Sequence, residues 1–197
     1  MKLNWAERWV VNNPLRVMEQ GIEIRRLKGM IPLKPDLVIL EVGCGRGAGA
    51  RIILREFQPA RIHALDLDPA MISKAKGYLS GAEKRQVSLF VGDAAALPVK
   101  TASVDAVFGF GVLHHIPDWR AALAEIARTL KPEGVYVLEE LYPALYQNFL
   151  TRHILLHPRS DRFRGPDLRQ ALAEAKLSLQ YFTEFHKLGI LGAAVKS

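Results

Sequence analysis

Residues 38–50 read VILEVGCGRGAGA, an apolar run that breaks into glycine at 43, 45, 47 and 49. This segment narrows the fold more than any other. The apolar run, written Asp36–Val42 (DLVILEV), has the length and branching of a buried strand. Glycine lets the backbone turn through positive φ and lets a ligand approach the main chain. Ala50–Phe57 continues in helical pattern, so the loop delivers unpaired helix N–H groups. A strand, a glycine loop and a helix in that order mark the crevice at the carboxyl end of an open α/β sheet. Four glycines in seven residues exceed what a tight turn requires.

The rest of the chain repeats that alternation. Asn13-Pro14 starts a helix that ends at Gly29. Strands are expected at Arg61–Asp66, Gln86–Val91, Val104–Phe110 and Val135–Glu140. Helices are expected from Asp68-Pro69 to about Leu79 and from Asp118 to about Leu130, with a turn at Pro132-Glu133-Gly134. This spacing predicts βαβ units and a mostly parallel, doubly wound sheet with helices on both faces. Tyr142–His157 and Gly165–Lys176 follow as helices. Ser178–His186 and Gly189–Lys196 are too close together for a parallel crossover, so they form an antiparallel hairpin.

Within 197 residues this pattern implies one domain. Residues 1–34 form a helical cover, 35–140 a ligand-binding core, 141–176 a second cover and 177–197 the hairpin. A single cysteine excludes a disulfide framework and a Cys-rich metal site. No H-E-x-x-H motif occurs, and no metal is expected. No apolar run reaches the roughly 18 residues of a membrane span, and MKLNWAERWV lacks a secretory core. The expectation is a cytoplasmic protein.

Glycine count alone does not name the ligand. Gly43-x-Gly45-x-x-Ala48 also meets the loose dinucleotide fingerprint, which keeps an NAD-dependent oxidoreductase among the alternatives. Asp66 ends the second strand about 20 residues past the loop, where a carboxylate accepts from ribose hydroxyls. Asp68, before Pro69, is the better helix cap. Asp93 ends the third strand in VGDAAALP. A carboxylate there can accept from an exocyclic amine such as that of adenine, or it can close an Asx turn.

Five segments then stand in order: LEVGCGRG, ALDLDPAMISKAK, GDAAALP, VDAVFGFGVLHHIPD and LKPEGVYVLEE. Together they resemble the class I S-adenosylmethionine-dependent methyltransferases, in the small form similar to the ubiquinone- and menaquinone-biosynthesis enzymes. The resemblance covers roughly residues 37–140. It implies a seven-stranded sheet of order 3-2-1-4-5-7-6 with its last strand antiparallel, S-adenosylmethionine as cofactor and S-adenosylhomocysteine as product. It further implies that Gly43, Cys44, Gly45 and Gly47 hold the methionyl part, supported by Glu41 and lined by Phe110. Asp66 would take the ribose, Leu67 and Met71 the adenine face, and Asp93 and Ala94 the adenine edge. Cys44 reads as a small packing residue within that loop.

Candidate bases are few. His114 and His115 follow strand four on the crevice side, where they either face the acceptor or simply close the loop. His153 and His157, and Tyr142 and Tyr146, lie at helical spacing in the second cover. The chain lacks the Asn/Asp-Pro-Pro-Tyr/Phe motif of adenine-N6 enzymes and the paired cysteines of 5-methylcytosine enzymes.

Net charge is +7, from 27 basic and 20 acidic residues. Residues 1–34 contribute +4 and 151–169 contribute +3, beside Trp5, Trp9, Tyr142, Tyr146, Phe149 and Phe163. A basic aromatic cover favours a small, lipophilic or anionic acceptor. It also suits peripheral contact with an anionic membrane, and it suits RNA least. A protein that binds the cofactor without turnover stays open as the non-enzymatic alternative.

Overall fold

The computed structural model describes residues 13–31, 33–146, 161–185 and 187–197. Its centre is a seven-stranded sheet of order β3-β2-β1-β4-β5-β7-β6. The strands are β1 Val38–Val42, β2 Arg61–Asp66, β3 Val87–Val91, β4 Val104–Phe110, β5 Leu130–Leu141, β6 Leu177–Phe185 and β7 Gly189–Lys196. The first five pair in parallel, and β7 is antiparallel to both β5 and β6. This is the expected order and handedness of pairing.

The helices are α1 Pro14–Lys28, α2 Ala48–Phe57, α3 Pro69–Tyr78, α4 Gly81–Gln86, α5 Trp119–Thr129, α6 Pro143–Tyr146 and α7 Gly165–Glu174. Alternation along the parallel strands creates two cores, because successive side chains point to opposite faces. Tyr136 and Leu138 face α5 and α7, packing with Trp119, Leu123, Ile126, Leu168 and Leu172. Val135 and Val137 face α1 and α2, packing with Ile24, Leu27, Ile52 and Ile53. The rings of Phe57 and Phe108 meet edge-on at 5.3 Å in this second core.

Several boundaries differ from expectation for local reasons. β1 begins at Val38, since Asp36 takes a left-handed φ of 63° and the Val38 N–H donates to Asp105. α4 was not expected; Ser80 and Glu83 form a reciprocal capping box that starts it. The turn at Pro132-Glu133-Gly134 is an irregularity inside β5, where pairing jumps from Val104–Leu130 to Ala106–Val135. α2 starts at Ala48, two residues earlier than read. Of the helix expected over Tyr142–His157, only Pro143–Tyr146 is described. Trp5, Trp9, Phe149, His153, His157 and His186 lie outside the described residues.

Two of the expected cover aromatics are structural. Phe163 is buried against Trp119, with ring centroids 4.7 Å apart. The Tyr142 hydroxyl donates to Glu184 at 2.8 Å, and Glu184 also holds Arg169 at 2.6 Å.

Candidate active site

A cavity of about 360 Å³ opens at the carboxyl end of the sheet, between the ends of β1, β2, β3 and β4. Parallel strands carry their loops to that end, so residues far apart in sequence converge there. Glu41, Gly43, Cys44, Gly45, Asp66, Leu67, Met71, Asp93, Ala94, Phe110 and His115 all line it.

The glycine loop is pinned from below. The N–H groups of Gly43 and Cys44 both donate to the Leu65 carbonyl at 2.9 Å. A side chain at Gly45 would meet nothing within 4 Å, so its backbone opens directly onto the cavity. Gly47 is not among the residues lining the cavity; it caps α2 at φ 86°, backed by Ala75 and Leu79. Its glycine is needed for the turn.

Asp66 organises two segments. One carboxylate oxygen accepts from Gly45 N–H at 2.9 Å and the other from Asp68 N–H at 2.8 Å. Asp68 in turn caps α3 through the Ala70 N–H at 3.0 Å, as its place before Pro69 predicts. Burial pushes the Asp66 carboxyl above its usual range, against the pull of those two N–H groups. Asp93 accepts from Ala95 N–H at 2.9 Å, so it does close an Asx turn while also facing the cavity.

Glu41 is 2 % exposed, and its Oε2 has no hydrogen-bond partner. Burial, and then the charge of Asp66, push its carboxyl up to about 8, opposed by the Ala50 N–H. Gly49 makes room for this group: a Cβ there would stand 2.1 Å from Glu41 Oε1. Burial raises the Cys44 thiol as well, with Glu41 and Asp66 adding to the effect, so it stays protonated.

The two histidines part company. His115 lines the cavity beside Val112, Ile116 and Pro117. His114 does not line it. This residue is buried, its Nδ1 lies 2.8 Å from Glu140, and its ring stacks on Tyr146 at 5.4 Å. Glu140 is wholly buried and also accepts from the N–H groups of Val112, Leu113 and His114, at 3.2, 2.9 and 3.3 Å. One carboxylate therefore clamps the turn that presents His115. The Glu-Glu pair at the end of LKPEGVYVLEE was its visible trace.

Two further lining residues come from α1, Arg16 and Gln20. Arg16 pairs with Glu139 and with Glu23. Burial lifts the Glu139 carboxyl to about 7, with Arg16 opposing. Polar residues at i and i+4 on a helix whose Ile24 and Leu27 are buried were the only sequence signal for them.

The lining holds five carboxylates, of Glu41, Asp66, Asp68, Asp93 and Asp118, against the guanidiniums of Arg16 and Arg46. In a chain of net charge +7 this is a locally acidic pocket. A partnerless buried carboxyl oxygen, an open glycine backbone and apolar walls at Met71, Leu67 and Ala94 fit a cationic nucleoside such as S-adenosylmethionine.

Residues 40–138 match the family model described as a methyltransferase domain. The chain is 32 % identical over 143 residues to a fatty-acid O-methyltransferase of Mycolicibacterium smegmatis, covering 72 % of this chain and 44 % of that protein. It is 38 % identical over 109 residues to a phthiotriol/phenolphthiotriol dimycocerosates methyltransferase of Mycobacterium leprae, covering 54 % of this chain and 38 % of the relative. The chain thus spans less than half the length of the curated relatives it matches. The crystal structure of a methyltransferase from Aquifex aeolicus superposes with a TM-score of 0.79 over the whole of both chains at 17 % identity, a likeness of fold. With its five motif segments, its sheet order and this match over half its length, the chain belongs to the class I S-adenosylmethionine-dependent methyltransferase family.

Proposed function

We propose that this protein transfers a methyl group from S-adenosylmethionine to a small lipophilic acceptor. The observation that carries this reading is the division of the cavity. Glu41, Asp66, Asp68 and Asp93 stand at the ends of β1, β2 and β3, while the wall after β4, of Phe110, Val112, Ile116 and Pro117, is mainly apolar and holds His115, with Asp118 at its far edge. When bound, the cofactor supplies a methyl group on a positive sulfonium, open to in-line attack.

The chain's residues then have separable tasks. Asp66 accepts from the ribose hydroxyls with the lone pairs its two N–H donors leave free. Glu41 Oε2 accepts from a donor on the methionyl side, directly or through water. Asp93 and Ala94 meet the adenine edge, between Leu67 and Met71. The wall beyond Phe110 excludes water and aligns the acceptor, which is most of what methyl transfer requires. His115 takes the proton of a hydroxyl acceptor; a carboxylate acceptor needs no base. The named activities of the M. smegmatis and M. leprae relatives, on a fatty acid and on phthiotriol/phenolphthiotriol dimycocerosates, support this acceptor class.

The test is transfer of radiolabel from methyl-labelled S-adenosylmethionine to a panel of fatty acids, long-chain alcohols, phenols and amines. Label should enter the lipophilic acids or alcohols. With a hydroxyl acceptor, His115→Ala should lower kcat by about 10²-fold or more while cofactor affinity holds. Label appearing only in short polar amines would overturn the acceptor class. Tight cofactor binding with no transfer to any member would favour a binding protein.

A further inference from the structure

Large apolar side chains stand exposed around the cavity at the carboxyl end of the sheet. Leu67, which also lines the cavity, follows β2, Val91 ends β3, and both are exposed. Leu145 lies in α6, directly after β5. Phe185 and Leu188 form the β6–β7 turn, which the Leu141–Gly189 pairing and the Tyr142 N–H to Leu188 carbonyl bond at 2.8 Å seat beyond the end of β5. Leu15 starts α1 beside Arg16, which is tied to Glu139 near the same strand end. It is 68 % exposed, and Phe185 and Leu188 are each 48 % exposed. Six large apolar side chains from five segments therefore stand around one end of the molecule. The other exposed large apolar side chains among the described residues are Met18 and Ile22 along α1, Phe182 within β6 and Met30 in the loop before β1.

Charge adds direction to this rim. Asp66, Asp68, Asp93 and Asp118 line the cavity, Glu184 beside Phe185 is taken up by Tyr142 and Arg169, Asp161 is paired with Arg120, and two cations stand among the apolar residues. Lys187 is exposed between Phe185 and Leu188. The Arg162 guanidinium lies 5.2 Å over the ring of Tyr146, next to Leu145. Scattered exposed apolar residues need no explanation, but a clustered set with cations around a cavity mouth does. An anionic lipid surface satisfies both, since apolar tips enter the headgroup layer and Lys and Arg meet the phosphates.

We propose that this rim docks the protein on an anionic lipid surface, with the cavity mouth facing the bilayer. This deepens the lipophilic-acceptor reading, because an acceptor dissolved in lipid would reach Phe110 and Ile116 without crossing water.

The experiment is flotation of the full chain with vesicles of phosphatidylcholine alone or mixed with phosphatidylglycerol. The protein should float with the mixed vesicles and far less with the neutral ones, and added salt should release it. Phe185→Ser with Leu188→Ser should lower the bound fraction roughly tenfold. Lys187→Glu should act in the same direction, and Leu15→Ser provides a second site in another element. Calorimetric titration with S-adenosylmethionine, unchanged in these variants, shows that they are folded. No enrichment on mixed vesicles overturns the proposal, as does equal binding by wild type and rim variants. Sedimentation showing a dimer that the rim variants dissolve also overturns it, by assigning the patch to a second copy. Flotation needs no turnover, so failure to methylate any lipid would remove the acceptor reading and leave docking standing.

Discussion

Asp66 does two jobs with one carboxylate, holding the glycine loop through Gly45 and facing the cavity. Asp66→Ala should therefore weaken S-adenosylmethionine binding by about 1.5–3 kcal/mol, the scale of hydrogen bonds to a charged group, read by calorimetry on the folded variant. Unchanged affinity would remove the ribose assignment. Glu41 makes a prediction in pH. Its carboxyl titrates near 4.5 when unfolded and at about 8 in the fold. A raised pKa means the folded state holds the proton longer, so stability is full below the unfolded value and is lost as pH rises through that window. The ligand-free protein should show a falling Tm between those limits, and Glu41→Gln should flatten the slope. A cationic ligand favours the ionised carboxyl, so binding should release protons, seen as a buffer-dependent heat. Absence of both effects would mean that Glu41 ionises freely in the fold.

Among elements, the turn after β4 shows how a strand from elsewhere sets a site. Leu113–His115 forms one short 3₁₀ turn, and short turns of this kind hold their shape weakly alone. Glu140 of β5 supplies the missing acceptors for three successive N–H groups and for His114. Glu140→Ala leaves those buried donors unmet and should cost roughly 2–4 kcal/mol in a urea titration. It should also reduce methyl transfer more than cofactor affinity, because the glycine loop lies on β1. Equal loss of both would show that the turn and the loop move together. Of the two roles open to His114 in the sequence, its contacts favour closing the turn that positions its neighbour.

Across the whole molecule, α1 links the cover to the sheet. Ile24 and Leu27 of α1, and Ile31 just after it, are buried against the α2 side, while Arg16 reaches the cavity from the same helix. Three aliphatic side chains at about 1.5–3 kcal/mol each put on the order of 5 kcal/mol into that contact, much of the margin of a typical domain. A chain lacking residues 1–31 should lose most of its denaturant resistance and bind an apolar dye. If it instead unfolds at the same urea concentration as the full chain, α1 is only loosely applied. No helix of the described residues is long and apolar enough to cross a membrane.

Much of this could be read along the chain because it depends on neighbours in sequence. Strand runs, the glycine loop, the caps at Asn13, Asp68 and Asp118, and the carboxylates at the ends of β1, β2 and β3 are local patterns. Parallel pairing then brings those strand ends together without further information. The pairings that place the remaining groups join distant residues. His114 and Glu140 stand 26 residues apart, and Arg16 and Glu139 stand 123 apart. No periodicity distinguishes His114 from His115, since a single three-residue turn carries no repeat that would set a face. Only packing, with Tyr146 on one side and Glu140 beneath, buried the first ring and left the second facing the cavity.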